Sequence, residues 1–491
     1  MKHFSKASAL GLAVLGLAIF LRFQDLTLRP FHHDEGVNGF FLTRLVNEGV
    51  YKYDPGNYHG PTLYYLTLPL VAAFGLSDIA VRGTEALFGV LTVFVLWRFL
   101  TPAGVVFSVA AAALFAASPG AVFFSRYFIH ETLFVAFTLL ALAAAPRKDH
   151  QQRWRFLATG VFLGLLFATK ETAFVSVFAV AGGALMASWL VSRKSPLSLA
   201  RALRPYAREH AENLMHGLLA FAASAGLMYS SFFRNPAGVV DAFRTFAFWT
   251  KTAIRDHDNP WNQHFLWIRE ADPVLFYLGF AGVVLALVLR RSWVGVMAAV
   301  WTILIFTAYT VVKYKTPWLG LNMLLPLAIG AGYLIHEIAC VELAAARVSM
   351  KPVAALIALF GVGLSATQSL ELETKKYDDE TLPYIYAHTQ RAFLDLIRAI
   401  ETRSQALGAR EETGIAIFAP ENWPLPWYLR RYTKSGYWGE FKNDVNVDMY
   451  VGSLAQDAQL KEKLGPGFDR IGVYNMRGAV DLVLYARKVT P

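Results

Sequence analysis

Cysteine is nearly absent: Cys340 stands alone among 491 residues, so no intramolecular disulfide can form and a disulfide-stapled secreted scaffold is excluded. Charge is scarce as well, at 17% of the chain against roughly 25% in soluble domains. What fills the space is apolar: 55% of the residues, with aromatics at 14%, and a mean hydropathy of +0.38. That content excludes disorder and collagen, and a soluble protein so composed would precipitate. The chain reads as an integral membrane protein. Its formal charge of +10 would suggest a nucleic-acid partner in a soluble protein. In a membrane protein it reflects Lys and Arg gathered in cytoplasmic loops, so no nucleic acid is expected and the lipid bilayer is the first partner.

Apolar runs approaching the ~20 residues of a spanning helix begin with Ala7 to Phe23, preceded by Lys2 and Lys6. No small-residue cleavage site follows it, so it is read as a retained helix with a cytoplasmic N-terminus. Further runs lie near 82–100, 103–119, 131–145, 155–169, 173–191, 213–233, 273–289, 293–312, 318–338 and 352–369. The stretch 61–76 decides the topology. It would make a helix only about 24 Å long at 1.5 Å per residue, with Pro69 inside it. If it spans, the loops with Arg147, Lys148, Arg153 and Arg155, and with Arg193, Lys194, Arg201, Arg204 and Arg208, face outward, against the positive-inside rule. If it lies along the outer interface, both loops are cytoplasmic. The second reading gives about eleven transmembrane helices and interfacial helices in a first outer loop of about 24–81. Past residue 370 the pattern changes to helical spacing over Tyr384–Gln405 and β-like runs at 414–419, 447–451, 470–475 and 480–486. The expected architecture is therefore an α-helical polytopic membrane domain, 1–370, and an extracytoplasmic α/β domain, 371–491.

This orientation puts an unusual set of residues at the outer face. FHHDEGVNGF places His32, His33, Asp34 and Glu35 just beyond the first helix; SRYFIHE places Arg126, His130 and Glu131 where a helix ends and the next begins. Lys170 and Glu171 stand between two apolar runs, and KYKTPW carries Lys313 and Lys315. Carboxylates converging at one interface suit acid–base work on a substrate with a lipid tail. Each residue also has a plainer reading. Asp34 and Glu35 suit the dipole at the start of an amphipathic helix, and Arg126 would serve as an ion-pair partner for Glu131. His32 and His33 lack metal-ligand spacing. His59 in YHGPTLYY fits a loop–helix junction, and Lys313 and Lys315 fit anchors at a helix end. Trp249, Trp261 and Trp267 read first as an aromatic belt. Lys170 and Glu171 are adjacent, point apart and each need another partner, since ionisable groups within apolar sequence are expensive.

Taken in order, HHDEGVNGFF, YDPGNYHGPTLYYLT, SRYFIHE, ATKETAF, NPAGVVDAF, KTPWLGLNMLLPL and WPLPWYLRRY resemble the flippase-activity-associated family of archaea and some bacteria. More broadly they resemble the GT-C superfamily of membrane glycosyltransferases, which includes protein O-mannosyltransferases. The resemblance runs through nearly the whole chain. It implies a sugar donor on a polyprenyl phosphate or diphosphate, and a glycan or protein acceptor. It implies Asp34 as general base, Glu35 as its neighbour or alternate, and Glu131 as the second-loop acid. In relatives that acid is often Asp, and the longer side chain here sets direct metal ligation by analogy in question. By the same pattern Arg126 meets donor phosphate, with Lys170, Lys313 and Lys315 as further phosphate ligands. His32, His33, His59 and Glu171 complete the expected substrate-binding set. Either a basic residue or a divalent cation, Mg or Mn, would stabilise the leaving phosphate; the sequence leaves that choice open. Two other functions compete, a transporter of lipid-linked glycan and a scaffold of a glycosylation complex. The first is disfavoured because no internal repeat is visible and the charges gather at one face.

Overall fold

The computed structural model describes residues 6–57, 59–146, 152–192, 198, 205–253, 259–343 and 348–489. Arg147, Lys148, Arg193, Lys194, Arg201 and Arg204 of the basic loops lie outside the described residues. In chain order the helices are α1 (Lys6–Phe23), α2 (His33–Glu48), α3 (Thr62–Phe74), α4 (Asp78–Leu100), α5 (Val105–Ala117), α6 (Pro119–Phe124), α7 (Glu131–Ala144), α8 (Arg153–Phe167), α9 (Ala173–Ser192) and α10 (Ala211–Tyr229). There follow α11 (Ala237–Ala253), α12 (Gln263–Ala271), α13 (Pro273–Leu289), α14 (Trp293–Val311), α15 (Leu321–Cys340), α16 (Lys351–Thr374), α17 (Phe393–Ala406), α18 (Leu425–Tyr428) and α19 (Asp457–Leu464). Two compact units result: Met1–Leu26 with Glu48–Lys375, and Thr27–Asn47 with Lys376–Pro491. The division differs from the expected one. The boundary near 370 moves to 375, and Thr27–Asn47, expected with the membrane domain, groups with the C-terminal residues.

The first unit is helical. All eleven apolar runs read from the sequence are helix. Among the described residues five helices are long and apolar enough to cross a membrane, α4, α9, α14, α15 and α16. A sixth crossing would join α12 and α13, which meet at a 116° bend. α1, α3, α5 and α7 are apolar but shorter. α3 has 13 residues, about 20 Å of helix. α15 is the axis of the unit, buried without interruption from Leu321 to Tyr333. Small residues let backbones touch: a Cβ at Gly160 of α8 would stand 2.0 Å from the Gly217 carbonyl of α10, and one at Gly164 2.6 Å from that of Phe221. That four-residue spacing of glycines is how helices approach where lipid removes the hydrophobic drive.

Polar side chains close the helix ends. The Ser77 and Ser292 hydroxyls accept the Ala80 and Gly295 amides at the starts of α4 and α14, and Arg155 donates to the carbonyls of Ala143, Ala144 and Ala145 at the end of α7. At the bend before α13 the Asp272 carboxylate accepts the Ser118 hydroxyl at 2.5 Å and the Gly120 amide at 3.0 Å. A two-residue hairpin, β1 (Glu342–Leu343) with β2 (Val348–Ser349), joins α15 to α16.

The second unit is a mixed five-stranded sheet of β3 (Ile415–Ile417), β4 (Ser435–Tyr437), β5 (Met449–Ser453), β6 (Phe468–Arg477) and β7 (Val480–Arg487), in the order β4-β3-β5-β7-β6. β3 runs parallel to β4 and β5, and β7 antiparallel to β5 and β6. Alternation along the strands supplies two faces. Ile415, Ile417, Met449, Val451, Leu482 and Leu484 pack under α17 through Phe393, Leu396, Ile397 and Ile400. Ala416, Phe418, Tyr450, Val483 and Tyr485 pack against Leu460 of α19. Four of these strands were legible; β4, only three residues of Ser-Gly-Tyr, was not. The helix expected from Tyr384 begins instead at Phe393. Before it, Ala387 takes a positive φ of 53° and the Tyr386 carbonyl turns to meet the His32 ring. A tertiary contact there outweighs helical spacing.

Candidate functional site

In the first unit the expected residues of α7, α8 and the following turn are brought together. Glu131 opens α7 and Lys170 follows α8, and their side chains form a buried ion pair. Glu171, also buried, takes a hydrogen bond from the His59 imidazole at 3.1 Å. His59 reaches it because the chain beside it is pinned to the end of α8: the Gly60 and Thr62 amides donate to the Thr169 and Ala168 carbonyls at 3.1 and 3.2 Å. A Cβ at Gly60 would lie 2.0 Å from the Ala168 carbonyl, so only glycine fits. His130, which the sequence places beside Glu131, stands against His59 at 4.9 Å between rings and is fixed through Nε2 on the Gly60 carbonyl at 3.1 Å. Tyr309 of α14, which the sequence did not point to, lies buried within electrostatic reach of Lys170, Glu131 and Glu171. Tyrosine carries no formal charge, and Tyr309 lies inside an apolar run with no charged neighbour to draw attention to it.

Other expected phosphate ligands are occupied differently. The buried Arg126 guanidinium pairs with Glu373 at 2.7 Å and donates to the Leu21 and Asp25 carbonyls at 3.1 and 3.3 Å. It ties α1 to α16 and is not paired with Glu131. Beside it Arg22 of α1, fully buried, donates to the Ala116 carbonyl at 2.9 Å. Lys315 is buried, with Nζ on the Val312 and Thr310 carbonyls at 2.6 and 3.3 Å, capping α14 as a cation suits a helix C-terminus. Lys313 is exposed.

In the second unit the tandem acids part company. The His32 amide donates to Glu35 Oε2 at 3.1 Å, while the His32 ring accepts the Asp34 amide on Nδ1 at 3.0 Å. The His32 ring thus caps the second amide of the helix while Glu35 reaches back to the His32 amide, a variant of the capping box with histidine as the cap residue. Glu35 is spent on it and fully buried, whereas the Asp34 side chain is 38% exposed. His32 Nε2 lies 2.9 Å from the Tyr386 carbonyl, which fixes the proton on Nε2 and leaves Nδ1 as the acceptor. Burial and the nearby His388 and His33 hold the His32 pKa well below the ordinary range. His33 is pushed down to about 4 by burial and by the Arg477 guanidinium. Both rings are neutral at neutral pH.

The WPLPWYLRRY segment seats this helix. Phe31 stacks on the buried Trp427 with centroids 4.7 Å apart, and its amide donates to the Tyr428 hydroxyl at 2.9 Å. A Cβ at Gly36 would meet Pro424 at 2.7 Å, and one at Gly39 would meet Trp427 at 2.6 Å. Arg430 lies over the other side of Trp427, 4.1 Å from the ring centre.

A divalent cation needs several hard oxygen ligands. Among the described residues no three His, Cys, Asp or Glu side chains stand close enough to hold one, and Glu131 is taken up by an ammonium. These residues do not fit a metal.

Residues 58–206 match the family described as dolichyl-phosphate-mannose-protein mannosyltransferase, a stretch that contains His59, Arg126, Glu131, Lys170 and Glu171. None of the curated protein sequences matches the chain. Among solved structures, ArnT from Cupriavidus metallidurans in the apo state superposes with a TM-score of 0.68 at 16% identity, over 98% of this chain and 98% of that one. The same protein bound to undecaprenyl phosphate also gives 0.68 at 16% identity, over 96% and 97%. The oligosaccharyltransferase AglB from Archaeoglobus fulgidus, in complex with an inhibitory peptide and a dolichol-phosphate, gives 0.57 at 13% identity, over 94% of this chain and 71% of that one. The chain shares the fold of these solved structures over nearly its whole length.

Proposed function

We propose that this protein transfers a sugar from a polyprenyl-phosphate-linked donor to a hydroxyl of a glycan or protein acceptor, at the extracytoplasmic face of the cell membrane. The observation that carries this reading is the likeness, over nearly the whole of both chains, to a protein seen with undecaprenyl phosphate bound. The proposed topology keeps about eleven spans, with the N-terminus cytoplasmic and the C-terminal unit outside.

Asp34 is the proposed base. Of the two adjacent acids it alone is substantially exposed, and the fixed His32 ring holds the amide of its own residue. Asp34 takes the proton of the acceptor hydroxyl, whose oxygen attacks the anomeric carbon. The bond from that carbon to the phosphate oxygen breaks, and its electron pair leaves with the polyprenyl phosphate. Lys170, held by Glu131 and by Glu171 with His59 behind it, is a second proposed substrate-binding group, in the helical unit. His32, His33 and Glu35 act by positioning. Attack opposite the leaving group inverts the anomeric configuration.

The test is an NMR analysis of product formed by the purified protein from a polyprenyl-phosphate sugar of known configuration. An inverted linkage is expected. A retained linkage overturns direct displacement, and absence of transfer with every acceptor hydroxyl offered overturns the assignment of class.

A further inference from the structure

One buried histidine of the second unit has no part in the reaction as proposed. His388 is 3% exposed and lies in the turn before α17, against His32, with ring centres 4.7 Å apart and planes tilted by 53°. Its Nδ1–H donates to the Tyr386 carbonyl, two residues back, at 3.1 Å, and the His32 Nε2–H donates to the same oxygen at 2.9 Å. A carbonyl oxygen only accepts, through two lone pairs, so the proton of each ring is placed: on Nδ1 in His388 and on Nε2 in His32. The turn requires such a tie. Ala387, between Tyr386 and His388, has a φ of 53°, a left-handed conformation that a residue with a Cβ takes only where its surroundings impose it. Beyond the turn the chain is tied to the sheet, the Gln390 amide donating to the Met476 carbonyl of β6 at 2.8 Å.

What His32 shows to Asp34 follows from this arrangement. Its Nδ1 carries a lone pair that accepts the Asp34 amide at 3.0 Å and stands 4.0 Å from Asp34 Oδ2. A lone pair there brings no proton and no positive charge to the carboxylate, whose basicity is kept. A proton on Nδ1 would turn a donor toward that carboxylate and take the acceptor away from the Asp34 amide, loosening the first turn of α2. Which nitrogen of His32 is protonated depends on where the Tyr386 carbonyl points, and His388 holds that carbonyl. We propose that His388 is a positioning residue for the base: through the Tyr386 carbonyl it keeps His32 in the one tautomer that fixes Asp34 and leaves it a proton acceptor. This rests on the assignment of Asp34 as the base of the transfer reaction.

The test uses the full-length protein in phosphatidylcholine nanodiscs, with its histidine nitrogens isotope-labelled for NMR. His388→Phe keeps a ring and loses the donor; His388→Asn keeps an N–H near the place of Nδ1. In the wild type the imidazole resonances, assigned by their loss in His32→Asn and His388→Phe, are expected to show His32 protonated on Nε2 and His388 on Nδ1. His388→Phe is expected to mix the His32 tautomers and to lower kcat roughly tenfold, as misorientation of a reacting group does, with KM for the polyprenyl-phosphate sugar unchanged. His388→Asn is expected to recover most of kcat. Wild-type His32 protonated on Nδ1 overturns the positioning role, and this reading stands even where a variant fails to fold. Wild-type kcat in His388→Phe, or an equal fall in His388→Asn, also overturns it; each of these results leaves the transfer reaction standing. No transfer by the wild-type protein overturns the reaction, and the role of His388 with it.

Discussion

Glu131 and Asp34 are both carboxylates in the first turn of a helix, both expected near the chemistry, and they have opposite surroundings. Glu131 is sealed in the helical unit against the Lys170 ammonium. Asp34 stands partly exposed on a helix seated by aromatic residues of the other unit, while its neighbour Glu35 carries the helix cap. A buried pair of opposite charges is a poor proton acceptor, because removing its charge strands the partner without water. A half-exposed carboxylate backed by a neutral histidine is free of that constraint. The pair therefore suits holding a charge in place, and the exposed acid suits moving a proton.

Breaking the pair should have the largest effect on stability. Lys170→Met leaves Glu131 buried without a partner, and the loss expected is about 3–5 kcal/mol, read as a fall in the melting temperature of the purified protein. The double variant Lys170→Met/Glu131→Leu should recover most of that stability and stay inactive. Single variants that melt like the wild type would show that the two charges do not depend on each other.

The other unit should respond to acid. His33 has a folded pKa of about 4, against an ordinary 6.5, so above 6.5 it is neutral in both states and contributes nothing. As pH falls from 6.5 to 4 the unfolded chain gains a proton that the folded chain refuses, and up to about 3 kcal/mol of stability is lost. Hydrogen exchange of the β5 and β7 amides should quicken across that window, and less so in His33→Asn. Exchange that is level from pH 7 to 4 would contradict it.

Smaller effects sharpen the account of how Asp34 is held. Gly39→Ala drives a methyl group into Trp427 and should cost roughly 1–3 kcal/mol, with activity falling as α2 shifts. Glu35→Ala removes one half of the capping box and should cost about 1 kcal/mol. Glu35→Gln, which can still accept the His32 amide, should cost almost nothing and keep activity. A Glu35→Gln variant that folds normally yet loses all turnover would move the base from Asp34 to Glu35.

Much of the helical unit was legible because apolar runs are long and local: all eleven are helices, and the Pro273–Leu289 run ends at the residues read from sequence. The site was legible as residue types and not as partnerships. Glu131 and Lys170 are 39 positions apart, and nothing in SRYFIHE or ATKETAF says that they meet. Lys315 and Arg126 were expected as phosphate ligands from the family resemblance, while their own sequence read as a helix-end anchor and an ion-pair partner. The carbonyls that occupy them, at the end of α14 and of α1, exist only once the helices do. The capping box escaped notice because its cap residue is histidine, where serine or threonine is the usual signal. The grouping of Thr27–Asn47 with the C-terminal unit was hidden because GVNGFFLTRLVNEG reads as an amphipathic helix without naming what covers it; Gly36 and Gly39 admit Pro424 and Trp427.

The most direct test is turnover of a polyprenyl-phosphate sugar donor by the wild-type protein and by Asp34→Asn, with donor binding measured on both. The account predicts release of polyprenyl phosphate by the wild type and a loss of about a hundredfold or more in the variant, with unchanged donor binding and a melting temperature within the small range of a surface substitution. Turnover by Asp34→Asn at the wild-type rate would contradict it.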